Sequence, residues 1–365
     1  MNEEEKRYLL ALSQIEGVGP VAIKNLIAYC GSPKSVFQKS SLLLQQIPEI
    51  GPKTAYSITK SDTLKRAEKE LEFCQKHNIQ IITYLESAFP QALKSEAYLP
   101  AILFKKGNID FNAQPAVSIV GTRKPSNYGK QQAVRFATYL AKKGINVVSG
   151  LAYGIDIEVH KAVLAVNGIT TAVLGHGLDR IYPEAHSQIA SQITENGALL
   201  SEYFYGSKPE AANFPHRNRI IAGMSKATIV IESGKKGGAI ITAEYAFEQN
   251  REVYAVPGNL TSSTSDGCNH LIKDNIAKLI TDPEEIFTDL NFETDSQSQL
   301  SINQSYDSLS EIEQSIIHCI QKNGVTFDEI ATDTQMEMGA LMTTLLELEL
   351  KGIINQLPGR KFELR

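Results

Sequence analysis

Val117-Ser-Ile-Val-Gly-Thr-Arg-Lys-Pro125 opens the part of the chain that decides the fold. A short β-branched apolar run stops at a glycine. After the loop come Ala133, Val134, Ala137, Leu140 and Ala141 at helical spacing, closed by Gly144. Asn146–Ser149 starts a second run, and Thr171–Leu174, Ala198–Ser201, Thr228–Ile231 and Val253–Val256 follow with helix-length stretches between them. Strands alternating with helices imply right-handed crossovers. Residues 113–288 are therefore expected to form an α/β domain, a Rossmann-like doubly wound parallel sheet. Ligands of such sheets bind beyond the carboxyl ends of the strands.

On the N-terminal side, Ile15-Glu-Gly-Val-Gly-Pro20 is echoed by Ile47-Pro-Glu-Ile-Gly-Pro52. Each copy reads as a helix, a glycine turn and a second helix opened by proline. The pattern resembles the helix-hairpin-helix motif, and residues 1–70 are expected to form a helical domain of that kind. Its turn amides and helix N-termini can take a phosphate, so Gly17, Gly19, Lys24, Gly51 and Lys53 are candidate additional DNA-phosphate contacts. A hairpin used only for packing fits the same pattern. Residues 71–112 read as a lead-in packed on the core, and the polar, aperiodic 289–306 as a linker. In 307–365, Ser310-x-x-Glu313 and Thr326-x-x-Glu329 are capping boxes. A third helical stretch runs from Met336 to Leu350, and Ile353–Leu357 with Phe362–Leu364 forms a small hairpin, together a winged-helix-like domain.

Charge divides along the same lines. The 365 residues carry 36 Lys and Arg against 41 Asp and Glu, a formal net charge of -5. Residues 283–365 alone hold 15 acidic and 5 basic side chains, whereas 113–282 hold 17 basic and 14 acidic. An anionic polymer is thus attracted to the first three-quarters and repelled by the last. The third helical stretch of the winged-helix-like domain offers Glu337, Glu347 and Glu349 against Lys351, which favours protein contact over DNA reading there. No apolar run is long enough to span a membrane. Four scattered cysteines make neither a disulfide framework nor a zinc site, so a reduced, cytoplasmic protein without metal is expected.

The loops at the strand ends carry the chemistry. Gly121-Thr-Arg123-Lys124 is neither a dinucleotide fingerprint nor a Walker A loop, which argues against a dehydrogenase or an ATPase. Ser149-Gly150 follows the second strand, with Asp156 placed in the first turn of the next helix. Phe214-Pro-His-Arg217-Asn218-Arg219 combines cations with an aromatic ring, the pairing that grips a nucleic-acid strand; structural ion pairs are the competing reading. Gly234-Lys235-Lys236-Gly237-Gly238 opens a helix with two lysines beside an anion-ready N-terminus. No catalytic constellation assembles: there is no nucleophile elbow, and the histidines (His160, His176, His186, His216 and His270 among them) stand singly. Neither an enzyme nor a cofactor is expected.

Gly121-Thr-Arg123, Ser149-Gly-x-Ala-x-Gly-Ile-Asp156, Phe214-Pro-x-Arg-Asn-Arg-Ile-Ile221, Ile240-Ile-Thr-Ala243 and Arg251-Glu-Val-Tyr-Ala-Val-Pro-Gly258, in that order, resemble the bacterial DNA-processing protein DprA (Smf) family. The resemblance covers the whole chain and is strongest over 115–287. It implies a non-catalytic protein that binds incoming single-stranded DNA in natural transformation, protects it and helps load the recombinase RecA. A homodimer through the Rossmann-like domain is implied as well. Carried over by motif, Arg123, Arg217, Arg219 and Lys236 would pair with phosphates, Gly121 and Gly150 would approach the backbone, and Phe214 would stack on a base. Ser149, Asn218 and the neighbouring Lys124, Lys235 and Gly237 complete the candidate pocket. The rival from another class is a nucleotide-processing enzyme. Ile231 to Glu244 is distantly similar to the glycine-rich loop of lysine-decarboxylase-like phosphoribohydrolases, with Glu244 as the acid. That reading leaves the helix-hairpin-helix and the Arg-Asn-Arg run unexplained. A sequence-specific transcription regulator fits poorly with the acidity of the third helical stretch.

Overall fold

The computed structural model describes residues 1–94, 100–292, 310–320, 325–334, 336–351, 353–357 and 361–364. It divides into two compact units, Met1–Ile286 and Phe287–Arg365. Most of the expected 289–306 linker lies outside the described residues.

The first unit is built on a nine-stranded sheet, β1 (Gln80–Thr83), β2 (Ile102–Gly107), β3 (Ala116–Val120), β4 (Asn146–Ser149), β5 (Thr170–Leu174), β6 (Ala198–Ser201), β7 (Ala227–Val230), β8 (Glu252–Ala255) and β9 (Lys278–Leu279), in the order β1-β2-β6-β5-β4-β3-β7-β8-β9. β3 to β9 are mutually parallel. Every residue of β3, β4, β5, β6 and β7 is buried, because helices cover both faces and leave no polar side to alternate with. The order runs outward from β3 through β4 to β6 on one side and from β7 to β9 on the other. The topological switch therefore falls between β3 and β7, paired at Val120 and Val230.

The 71–112 stretch does more than lead in. It supplies β1 and β2, which extend the sheet antiparallel beyond β6. β2 hides from an apolar-run search because it contains Lys105 and Lys106. Lys105 is nonetheless buried, its ammonium donating to the carbonyl of Ile109 at 2.9 Å.

The N-terminal hairpins have the expected form. Helices Glu3–Ser13 and Pro20–Cys30 flank one turn, and Ser41–Leu44 and Pro52–Lys60 flank the other, with Gly19 and Gly51 at the N-caps. Gly17 takes the left-handed conformation at φ 81° with ease, and Glu49 holds it at φ 67° in the second copy at a cost in strain. The hairpin core is continuous with the sheet, since Leu9, Leu26 and Ile58 share a cluster with Ile81, Phe104 and Leu199.

A clasp joins this helical part to the loop after β6. Glu70, buried on helix Thr63–Lys76, accepts the Tyr205 N–H through both carboxylate oxygens at 3.1 Å, and the Phe73 and Tyr205 rings lie 4.2 Å apart. Burial pushes the Glu70 carboxyl up to about 7, against the opposing pull of the Tyr205 N–H. An acid whose folded pKa lies above its ordinary 4.5 holds more protons folded than unfolded, so stability falls as pH rises from 4.5 through 7. We expect Glu70→Gln to flatten that decline; denaturation midpoints at pH 5 and pH 8 that keep the wild-type difference would refute it.

In the second unit, Ser310 and Glu313 exchange capping-box hydrogen bonds at 2.8 and 3.3 Å, and Thr326 and Glu329 do so at 2.8 and 3.4 Å. Helices Glu311–Ile320, Phe327–Thr334 and Met338–Leu350 pack with a three-stranded sheet of Val325–Thr326, Ile354–Leu357 and Lys361–Leu364. Three helices and a hairpin wing make a winged helix.

Candidate nucleic-acid interface

An open cleft of about 580 Å³ sits at the carboxyl edge of the sheet, at the β3/β7 switch. That volume lies within the roughly 300–1,000 Å³ of small-ligand sites. The loop after β3 forms one wall (Gly121, Thr122, Arg123) and the start of helix Gly238–Glu248 another, while helix Asn213–Gly223 contributes Phe214, Arg217 and Asn218.

The wall after β3 is fixed from below. Glu232, buried past the end of β7, accepts the Ser126 N–H at 2.8 Å and the Thr264 hydroxyl at 2.6 Å, while its own carbonyl accepts the Thr122 N–H at 2.7 Å. Its carboxylate thus sits at the N-terminus of helix Asn127–Lys142, already capped by Ser126, and no open anion site remains there. From the other side, Gly154 (φ 86°) presses on the same loop. A Cβ there would stand 2.2 Å from the Thr122 carbonyl oxygen, so only glycine permits the approach.

Arg123 emerges from this wall exposed, with its guanidinium 5.8 Å from the centre of the Phe214 ring. The Tyr182 ring lies 5.8 Å from the Phe214 ring, tilted by 36°. Cation and rings together form a surface on which a base could stack. In the sequence Tyr182 stands only as part of Tyr182-Pro-Glu184 after the β5 run, with nothing to mark it as a second ring beside Phe214.

The opposite wall is an uncapped helix start. Gly237 is the N-cap of Gly238–Glu248, no side chain caps it, and its first turn has no acidic residue. The Gly237 N–H donates to the Gly234 carbonyl and that of Ile240 to the Gly237 carbonyl, each at 3.0 Å, which leaves the Gly238 and Ala239 N–H groups available to an anion. Lys124, Lys235 and Lys236 are exposed beside the two walls, and none forms an ion pair among the described residues. Asn218 holds this wall in place, its side-chain amide donating to the Gly238 carbonyl at 3.2 Å.

Two expected phosphate ligands are occupied elsewhere. Residues 213–223 form a helix rather than a loop, so Arg217 and Arg219 diverge by about 200° and cannot face one ligand together. Arg217 is 3% exposed; it donates to the carbonyl of Gly150 at 2.9 Å and to that of Val173, tying together the ends of β4 and β5. Arg219, 6% exposed, pairs with Glu202 and donates to His216 at 3.2 Å. These are the structural pairings that competed with the strand-gripping reading. Ser149 is likewise buried, donating to the Ile119 carbonyl at 2.7 Å. At the cleft floor, Arg217 and Asp156 both approach Gly150; a Cβ on that glycine would lie 2.6 Å from the guanidinium and 2.7 Å from the carboxylate. Burial lowers the Arg217 pKa to about 10, still charged at neutral pH, and raises that of Asp156 against the pull of Arg217.

Among the hairpin candidates, Gly17, Gly19, Gly51 and Lys53 are exposed. Lys24 is half-buried over the Tyr84 ring at 5.8 Å, directed toward the sheet rather than outward. Glu244, the acid of the rival hydrolase reading, is exposed on its helix and does not line the cleft. Of the cleft-lining residues only Asp156 is acidic.

Comparison with known proteins fixes the family. Residues 80–291 match DNA recombination-mediator protein A, and residues 303–360 match the DprA winged helix domain. The chain is 33% identical to Protein Smf of Synechocystis sp., over the full length of both. The chain belongs to the DNA recombination-mediator protein A (DprA/Smf) family. Protein Smf of Escherichia coli is 36% identical, over 83% of this chain and 85% of its own. The crystal structure of DNA processing protein A from Streptococcus pneumoniae superposes with a TM-score of 0.67 at 31% identity, covering 79% of this chain and 98% of that one. DNA processing protein A from Helicobacter pylori, whose structure concerns its single-stranded DNA binding mode, superposes at 0.53 with 30% identity, over 59% and 97%. In this DprA/Smf chain the cleft falls within the span matched to the family.

Proposed function

We propose that this protein binds single-stranded DNA in the cleft at the β3/β7 switch. Exposed Arg123, with Lys124, Lys235 and Lys236, takes phosphates; the open N–H groups at Gly238 and Ala239 take another; a base stacks on Phe214 and Tyr182. The observation that carries this reading is the Arg123 guanidinium set over the Phe214 ring at the cleft mouth. Arg217, Ser149 and Gly150 act from beneath, shaping the floor rather than gripping the strand, while Arg219 is engaged by Glu202 away from the cleft. Gly17, Gly19, Gly51 and Lys53 offer a further phosphate contact at the hairpin turns. Family membership supports a DNA-processing role in transformation, and with it the finer assignments: protection of incoming strands, RecA loading, a homodimer and no catalysis. The Helicobacter pylori relative supports the choice of an unpaired strand.

Titration of labelled single- and double-stranded oligonucleotides at two salt concentrations tests the reading. Single strands should bind more tightly, with log affinity falling against log salt by about 0.7 per phosphate engaged. Equal affinity for both forms, or no salt dependence, would reject it. Release of free base from nucleoside monophosphates would instead support the hydrolase reading.

A further inference from the structure

The winged-helix unit carries an apolar row that its own core does not use. On helix Met338–Leu350, Leu341, Leu345 and Leu348 are buried with Ile316, Ile330, Ile354 and Phe362. On the adjoining arc Met338, Met342 and Leu346 are 66%, 64% and 57% exposed. Four-residue spacing aligns these three along one face. Single exposed apolar side chains are ordinary on a protein surface, whereas an aligned row marks a contact surface. Glu349, three residues past Leu346 on the same face, borders the row at its C-terminal end, and Glu347 is exposed farther round the helix. Lys351, next in the chain, is bound to Glu313 at 2.6 Å and does not offset them.

We propose that this row docks a protein partner presenting an amphipathic helix whose apolar face is edged with lysine or arginine. Charge selects that occupant. With 13 acidic and 5 basic residues over 287–365, the unit repels nucleic acid and anionic bilayers, and two copies of it repel each other. A basic partner gains from the same field. Methionine suits the contact because its unbranched, polarizable side chain adapts to different apolar ridges. The residues involved are separate from the DNA cleft, so the two readings stand or fall independently.

The full chain, labelled with 13C at its methionine methyl groups, provides the test. One probe is a synthetic helical peptide with leucines at i, i+3, i+4 and i+7 and lysine elsewhere; the other replaces each lysine with glutamate. The lysine peptide should move the Met338 and Met342 signals and leave Met224 unmoved. It should bind at least about tenfold more tightly than the glutamate peptide, a difference of about 1.4 kcal/mol. Met342→Gln with Leu346→Gln should weaken it by a similar factor, while an unshifted Met336 signal, from a residue packed on the unit's core, reports intact folding. Three results would each overturn the proposal: no response to the lysine peptide, equal response to both peptides, or unchanged affinity in the double variant. Met338 and Met342 signals that shift with protein concentration alone would overturn it too, since a second copy would then cover the row.

Discussion

Arg217→Ala should lower folding stability by about 3–5 kcal/mol, the scale seen when one partner of a buried charged network is removed. Its guanidinium is buried, bonded to the Gly150 and Val173 carbonyls at the ends of β4 and β5, and faced by Asp156. Truncation leaves two carbonyls without a donor and a buried carboxyl without its countercharge. Arg217→Lys should rescue it only in part: one terminal nitrogen makes both carbonyl bonds, but an ammonium lacks the Nε–H that donates to the Asn218 side-chain oxygen at 3.2 Å. Urea unfolding followed by circular dichroism reads the result. Loss of DNA binding with an unchanged midpoint would show instead that Arg217 touches the strand.

Arg123→Ala should have the opposite signature: an unchanged unfolding midpoint and weaker single-strand binding, with the salt slope reduced by about 0.7 for each phosphate no longer neutralised. Phe214→Ala should cost about 1–3 kcal/mol of binding, the value of one base stacked on an aromatic ring, and leave the slope unaltered. Because the two side chains face each other at 5.8 Å, their effects should not add in the double variant. Equal slope changes in both single variants would remove the stacking role from Phe214; wild-type affinity in both would empty the cleft of its proposed ligand.

The contrast between these two arginines marks how far the sequence is legible. Short apolar runs located β3 to β8 to within a residue of their observed ends, because central parallel strands are apolar on both faces. The capping boxes at Ser310 and Thr326 were equally readable, being local. β1 and β2 were missed: β2 carries two lysines, and the pairing of β2 with β6 and of β1 with β2, rather than periodicity, makes them strands. At Phe214–Arg219 the residue types point to nucleic acid, but helical geometry from Asn213 to Gly223 turns the arginines apart and sends both inward. Pro215 in the first turn and the Ile220-Ile221 pair were the available signs of that helix. Tyr182 joins the cleft only through tertiary contact, which no spacing along the chain encodes.

Photochemical cross-linking of a single-stranded oligonucleotide carrying 5-iododeoxyuridine, followed by peptide mapping, tests the central claim most directly. Cross-links at Phe214 and Tyr182, absent in Phe214→Ala and competed by unlabelled single strands, are the expected result. Cross-links confined to the helical N-terminus or to the winged helix, with the peptides bearing Tyr182 and Phe214 unmodified, would contradict it.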